Sequence, residues 1–431
     1  MKVAFYTLGC KVNQYETNGM IQKFEEAGFE VVPFNEKSDV YIINTCTVTS
    51  ISDRKSRQML RRAKELNPEG IVVACGCYVQ VAKDVVDEIE EIDLSIGTNE
   101  KKDIVKIVED FVNDKKKPSS IDDVFHNEDY QEFGNIIFTE KVRAVIKVQD
   151  GCDRFCSYCI IPYARGRVRS RDKDNVISEI KQIVKENEIK EVIITGIHVA
   201  SYGKDFKNGY GLIDLLEEIN EIDGLERIRL GSIEPLLISE EFMERLSKLE
   251  KFCHHFHLSL QSACNTVLER MNRRYTIEEF MEITDRIRRY YDDAILTTDV
   301  IVGFPGETDE EFNVTVNNLN KIKFYKMHIF KYSQRNGTKA AVMENQVSPE
   351  IKEKRSKVLI EMSDKFEEEY QRSYIGKTVD VLFEEMEDGF LKGHTANYMM
   401  VKSKGKDDDI NTIKKVKILD TENAIMEGEI I

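Results

Sequence analysis

The chain has 431 residues, 41% hydrophobic and 32% charged, enough apolar content for two or three domains with cores of their own. A formal charge of -16 excludes a general nucleic-acid coat, because phosphate binding runs on lysine and arginine, though it leaves room for local basic faces. No apolar run approaches the roughly 18 residues of a membrane span, and residues 2–9 are too short for a signal peptide, so the expectation is a cytoplasmic protein with no membrane partner.

Residues 1–99 read as repeated strand–helix units. Val3–Tyr6, Val40–Ile43 and Ile71–Ala74 are strands, each followed by a helix, over Thr17–Ala27, Arg54–Leu66 and Ala82–Ile89. Continuous apolar strands alternating with helices predict a parallel sheet, and ligands of such sheets lie beyond the carboxyl ends of the strands. Cys10, Cys46 and Cys77 each fall a few residues past such an end. On that geometry alone the three read equally as ligands of one centre with an open position or as unrelated core cysteines. Cys75 closes an apolar run, whereas Gly76 frees the backbone to turn before Cys77. Residues 100–140 read as a basic, then acidic connector (Lys115-Lys116-Lys117-Pro118, then Asp122-Asp123) and place a domain boundary there.

Directly after the alternating run Arg143–Val148 comes Gly151-Cys152-Asp153-Arg154-Phe155-Cys156-Ser157-Tyr158-Cys159. Three thiols in eight residues, spaced C-x3-C-x2-C, can hold a four-iron cube at three corners and leave one iron open. Structural zinc wants four closed ligands, and no nearby cysteine or histidine completes this set. His198, His254, His255 and His257 fit no metal spacing and read as hydrogen-bonded structural residues. Six strands separated by helical stretches follow between 141 and 340: Arg143–Val148, Glu191–Gly196, Arg227–Leu230, Phe256–Leu260, Leu296–Val302 and Met327–Tyr332. Six units are too few for a closed eight-stranded barrel and predict a partial one. Thr276-x-x-Glu279 and Thr308-x-x-Glu311 fit capping boxes.

A long helix is expected from Pro349 to about Arg372 with Ser348 as its cap, and with Ile351, Val358, Met362 and Phe366 facing the barrel. Beyond Gly376 short alternating strands predict a small β-barrel. Two basic stretches adjoin cysteines: Arg54, Lys55, Arg57, Arg61 and Arg62 after Cys46, and Arg165, Arg167, Arg169 and Arg171 after Cys159. Their position predicts an anionic substrate.

The motifs Leu8-Gly9-Cys10-Lys11-Val12-Asn13, Asn44-Thr45-Cys46-Thr47-Val48-Thr49 and Gly76-Cys77-Tyr78-Val79-Gln80, with the C-x3-C-x2-C, resemble the methylthiotransferase family of radical S-adenosylmethionine (SAM) enzymes across essentially the whole chain. The Gly-Cys-Lys-Val-Asn opening looks like the branch that acts on N6-threonylcarbamoyladenosine at position 37 of tRNA. Sister branches act on isopentenyladenosine in tRNA or on a ribosomal-protein aspartate.

The resemblance implies an α/β chain in three parts. Residues 1–125 would form a parallel-sheet methylthiotransferase domain, 140–372 a partial (βα)6 TIM-type radical SAM barrel, and 373–431 a TRAM-like RNA-binding β-barrel. That last part carries 8 Lys+Arg against 12 Asp+Glu, which limits its RNA contacts. One [4Fe-4S] cluster is implied on Cys152, Cys156 and Cys159 and a second on Cys10, Cys46 and Cys77. SAM is expected against Tyr158, Thr195, Gly196, Ser232, Glu234 and Gln261, and RNA against Arg165, Arg167, Arg169, Arg54 and Arg57. The first cluster would cleave SAM to a radical that attacks an adenine C–H, the second would deliver sulfur, and a second SAM the methyl group. No acid–base residue is called for, since an aromatic C–H offers no acidic proton. The implied partners are a tRNA anticodon stem-loop and an electron donor of flavodoxin or ferredoxin type, with the protein a monomer. A non-catalytic iron–sulfur RNA-binding protein and a single-cluster radical SAM enzyme are the competing readings.

Overall fold

The computed structural model describes residues 1–114, 121–126, 129–137 and 142–431. The lysine run of the connector and the expected barrel boundary at 140 lie outside the described residues.

Strands β1 (Lys2–Thr7), β2 (Glu30–Val32), β3 (Val40–Thr45), β4 (Ile71–Gly76) and β5 (Leu94–Ile96) form one parallel sheet in the order β2-β1-β3-β4-β5. β3 is buried along its whole length, as a central strand covered on both faces must be. The helix after β1 runs Lys11–Glu26, six residues earlier than expected, so that Cys10 itself is its N-cap. The expected helix Ala82–Ile89 is instead two short ones, Cys77–Val81 and Lys83–Asp87, broken at Ala82. The connector is also not all loop. Ile104–Asp114 is a helix whose Ile104, Val108 and Phe111 pack into the core under the sheet, and Phe133 and Ile136 join that core.

The next strands are β6 (Arg143–Asp150), β7 (Arg169–Ser170), β8 (Glu191–Gly196), β9 (Arg227–Leu230), β10 (Ser232–Ile233), β11 (His255–Gln261), β12 (Ile295–Val302) and β13 (Lys326–Lys331). They run β7-β6-β8-β9 and β10-β11-β12-β13. β9 and β10 are one line of chain interrupted at Gly231, and a parallel bridge from Ile228 to Phe252 ties the halves together. The result is an arc of six parallel strand positions around a single core, with the short antiparallel β7 on one edge. Thr276 and Thr308 cap their helices with reciprocal bonds from Glu279 and Glu311, as the sequence pattern predicts.

Pro349–Arg372 is the expected long helix, and it packs along β13, covering the other edge of the arc. Its buried face differs from expectation. Leu359, Met362 and Phe366 pack on the core, while Ile351 and Val358 are exposed and Arg355, Ser356, Ser363 and Gln371 are buried instead.

Strands β14 (Thr378–Glu387), β15 (Phe390–Thr395), β16 (Met400–Ser403), β17 (Ile413–Glu422) and β18 (Ile425–Ile430) close into a small barrel. It docks beneath the amino ends of the larger barrel's strands. Arg227 donates to the carbonyls of His394 (3.0 Å) and Asp380 (2.9 Å), and Tyr398 stacks on His255 with ring centres 4.5 Å apart. Among the described residues no helix is long and apolar enough to cross a membrane.

Candidate active site

Cys10, Cys46 and Cys77 follow the carboxyl ends of β1, β3 and β4, three adjacent strands, so the sheet brings them together from distant parts of the chain. Asn13 locks two of their loops by donating to the carbonyls of Leu8 (2.7 Å) and Thr45 (3.0 Å). Gly9 has φ +106°, and a Cβ there would stand 2.9 Å from the Cys46 sulfur, so only glycine lets the loops approach. Gly76, at φ +96°, turns the chain so that Cys77 starts a short helix, while Cys75 remains buried with its thiol 3.6 Å from the Ile43 carbonyl.

Cys152, Cys156 and Cys159 lie in the loop after β6. Gly151 (φ +71°) faces the Arg167 carbonyl so closely that a Cβ would collide at 1.7 Å, and Phe155 adopts φ 48°. The loop is held from outside. Ser157 donates through its amide to the Met271 carbonyl (3.0 Å) and through Oγ to that of Arg270 (2.7 Å), and Asn272 donates to the Phe155 carbonyl (3.0 Å).

Each trio has a buried guanidinium on one thiol. Arg165 Nε lies 3.2 Å from the Cys77 sulfur, and Arg273 Nη1 lies 3.4 Å from that of Cys156. Burial pushes the thiols of Cys46 and Cys152 up to about 11 and that of Cys159 to about 12, so the free thiols stay protonated at neutral pH and a metal must displace the protons. Among the described residues no three His, Cys, Asp or Glu side chains close on a single metal ion. Three thiols with cationic support suit a [4Fe-4S] cluster at three corners, and both sets fit it.

Two of the arginines expected to meet RNA do not. Arg165 is wholly buried, paired with both oxygens of Glu16 and donating to Asn13 Oδ1 (2.6 Å). Arg169 is also buried, donating to the Arg165 carbonyl (2.9 Å) and lying 3.9 Å from Asp150. The reason lies in Glu16 and Asp150, buried acids whose charge must be matched inside the fold. Burial alone would raise Glu16, but Arg165, Lys101 and Lys147 hold it well below the carboxylate range. Asp150 is likewise held at about 2 against its burial, by Lys147, Arg165 and Arg169.

Arg167 is exposed, lies 5.1 Å from the Phe155 ring centre and pairs with Asp153 at 3.2 Å. Arg54 and Arg57 line a basic face of the helix Ser50–Leu66 together with Arg61 and Arg62, and Arg57 donates to the Tyr78 hydroxyl (2.9 Å).

Among the residues expected to hold SAM, Thr195 and Gly196 end β8, and Gly196 is packed so closely that a Cβ would meet Gln149 Oε1 at 2.8 Å. Gln261 ends β11 at φ 71°, and Ser232 is exposed. Glu234 is buried and engaged by Arg273 (2.9 Å), His198 (3.6 Å) and Arg154 (3.9 Å), which lower its pKa against burial. The Tyr158 ring packs against a group containing Cys264, Val267, Met271 and Phe304, so the protein's own core takes up part of it.

The histidines are hydrogen-bonded: His254 to Asp293 (2.6 Å), His255 and His257 to Thr297 (2.9 Å each), and His198 to Ser201 (2.8 Å). Arg273 and Arg335 escape a motif reading. Arg335 reaches back to Thr47 and Asp53 (2.6 Å each), clamping the barrel onto the loop of Cys46. Inside the arc, a cavity of about 660 Å³ is bounded by β9–β13, by Tyr398, Met400 and Ile425 of the small barrel, and by Lys11.

Comparison with known proteins agrees with this arrangement. The family described as the radical SAM superfamily matches residues 146–319, and one described as uncharacterized protein family UPF0004 matches residues 2–97. The threonylcarbamoyladenosine tRNA methylthiotransferase MtaB of Bacillus subtilis is 41% identical over 100% of this chain and 96% of its own length. A tRNA-2-methylthio-N(6)-dimethylallyladenosine synthase of Caldicellulosiruptor saccharolyticus is 34% identical over 99% of this chain and 91% of its own. Among solved structures, the radical S-adenosylmethionine methyltransferase TsrM of Kitasatospora setae, with cobalamin and a [4Fe-4S] cluster bound, shares the fold at TM-score 0.57 and 16% identity, over 79% of this chain and 77% of that one. The chain belongs to the methylthiotransferase family of radical SAM enzymes.

Proposed function

We propose that this protein methylthiolates C2 of N6-threonylcarbamoyladenosine at position 37 of tRNA. The observation that carries the reading is the pair of three-thiol sites, one on the sheet edge and one on the barrel loop, joined by the buried Arg165–Glu16–Lys147–Asp150 network. Full-length similarity at 41% to an enzyme named for that nucleoside supports the substrate. Bound clusters and SAM would supply the radical, sulfur and methyl chemistry. The chain's own residues place them. Cys10, Cys46 and Cys77 would hold one cluster and Cys152, Cys156 and Cys159 the other, with Arg165 and Arg273 donating to a sulfur of each. Thr195, Gly196, Ser232, Glu234 and Gln261 border the barrel where SAM would lie.

The exposed Arg54 and Arg167 and the half-buried Arg57 are the cations assigned to the phosphates of the anticodon stem-loop, and a flavodoxin- or ferredoxin-type protein would donate electrons. A tRNA substrate puts the enzyme in the cytoplasm. Mass spectrometry of tRNA nucleosides from a deletion strain tests the substrate, with loss of the 2-methylthio-threonylcarbamoyl nucleoside expected. An unchanged level would sink the assignment, and loss of the dimethylallyl counterpart instead would favour the second reading, which 34% identity to a dimethylallyladenosine synthase supports.

A further inference from the structure

The loop of Cys152, Cys156 and Cys159 is fastened to one short segment. Arg270 and Met271 accept from Ser157, and Asn272 donates to the Phe155 carbonyl. The next residue, Arg273, is thereby set against a proposed cluster ligand. Its guanidinium divides its donors. Nε donates to the Tyr275 hydroxyl (3.1 Å), and Nη2 donates to Glu234 Oε2 (2.9 Å) and to the Ser259 carbonyl (2.8 Å). Those contacts suffice to anchor the side chain, yet Nη1 reaches the Cys156 sulfur at 3.4 Å. The Arg273 side chain is 6% exposed and that of Glu234 4%, so water screens neither.

The ion pair is neutral as a whole but polarised. Glu234 takes the Nη2 side, and the cationic end of the pair touches the sulfur. A guanidinium is charged at every working pH, so this polarity does not depend on a protonation state. One-electron reduction by the flavodoxin- or ferredoxin-type donor adds one unit of negative charge to a cluster held at this loop. The donor is oxidised by that electron, no bond forms or breaks, and no proton moves. An N–H on a ligand sulfur, with a cation behind it, favours the more negative reduced form. Hydrogen bonds to sulfur and local charge are among the levers that set such potentials.

We infer that Arg273 is a positioning residue for electron entry: its bond to the Cys156 sulfur raises the reduction potential of the cluster on Cys152, Cys156 and Cys159 toward that of the donor. The inference holds for any nucleoside substrate, so a failed substrate assignment leaves it standing. The test is potentiometric titration of the reconstituted enzyme, followed by the electron paramagnetic resonance of the reduced cluster. It is run on the full set of clusters and again in a Cys77→Ala background, which isolates the signal of this loop. Wild type is compared with Arg273→Gln, Arg273→Lys and the exposed neighbour Arg274→Gln.

Arg273→Gln should keep its iron and shift the reduction equilibrium about tenfold toward the oxidised form, or about 59 mV downward for one electron. Arg273→Lys keeps a charge for Glu234 but lacks the fork that also serves the sulfur, and should fall partway. Arg274→Gln should titrate as wild type. Formation of 5'-deoxyadenosine by Arg273→Gln should be slow with reduced flavodoxin and recover with titanium(III) citrate, a stronger reductant. A wild-type midpoint in either Arg273 variant at full iron would overturn the inference. So would an equal shift in Arg274→Gln, or turnover that stays low with titanium(III) citrate. Failure of both Arg273 variants to load iron would assign Arg273 to support of the loop and overturn it as well.

Discussion

Replacing Arg165 separates a structural role from an RNA-binding one. In Arg165→Ala the lost guanidinium strips hydrogen bonds from both oxygens of Glu16, from Asn13 Oδ1 and from the Cys77 sulfur, all of them buried, and removes a neighbour 3.3 Å from Asp150. Each bond to a charged group is worth about 1.5–3 kcal/mol, but the sum overshoots, because Lys101 and Lys147 remain on Glu16. The better guide is the cost of removing one partner from a buried ion pair, about 3–5 kcal/mol, or roughly two to three and a half decades in the local folding equilibrium.

Arg167→Ala offers the contrast. Its side chain is 57% exposed and its pair with Asp153 is a surface one, so stability should move by less than about 1 kcal/mol. If Arg167 meets a phosphate, the log–log salt slope of RNA binding should fall by about 0.9. Urea denaturation of the two apoproteins, iron content after anaerobic reconstitution and RNA binding across salt make the assay. Arg165→Ala should unfold at lower urea and retain about four irons per chain where wild type holds about eight. An Arg165→Ala protein with normal urea midpoint and iron content, but a reduced salt slope, would refute the buried-network reasoning.

Two further outcomes follow from the cysteines and the acids. Cys75→Ser should keep about eight irons per chain, and Cys77→Ala about four with SAM cleavage intact, because Cys75 points into the core and Cys77 lies beside Arg165; the reverse pattern would reassign the ligand. Asp150 titrates near 2 when folded and near 4 when unfolded. Its contribution, on the order of 2 kcal/mol, is therefore present above about pH 4 and lost as pH falls toward about 2. The stability difference between wild-type apoprotein and Asp150→Asn should shrink over that window, and a pH-independent difference would count against the assignment.

Much of the fold is legible because its signals are local. Apolar runs mark the parallel strands, and Thr276, Thr308 and Ser348 mark helix starts by hydrogen bonds made within one turn. The failures come where distant partners decide. The helix Lys11–Glu26 begins with polar residues whose burial depends on the loops they meet, Asn13 holding Leu8 and Thr45 and Glu16 meeting Lys101 and Arg165. The helix Ile104–Asp114 was hidden by the charged run after it, although Ile104, Val108 and Phe111 keep a helical period. Spacing marks the barrel cysteines, whereas topology gathers the strand-end cysteines without deciding their role, which only the motifs around Cys10, Cys46 and Cys77 indicate; the guanidiniums supporting both sets follow no spacing rule.

The arginines after Cys159 show why a charge run is ambiguous. Arg165, Arg167 and Arg169 stand two residues apart, yet only the middle one reaches solvent, because the short helix Ile161–Arg165 and the strand Arg169–Ser170 direct the outer two inward. A network of this kind is weak evidence for stability, since desolvation offsets most of its attraction. Its directional bonds are better understood as setting geometry. Asp150 immediately precedes the loop of Cys152, Arg165 touches Cys77, and Glu16 and Lys147 complete the link between sheet and barrel. Two metal centres that act on one substrate must keep a fixed separation, as a misplacement of about 1 Å can cost on the order of a hundredfold in rate. A fully satisfied buried network can hold that separation where an apolar contact could slide.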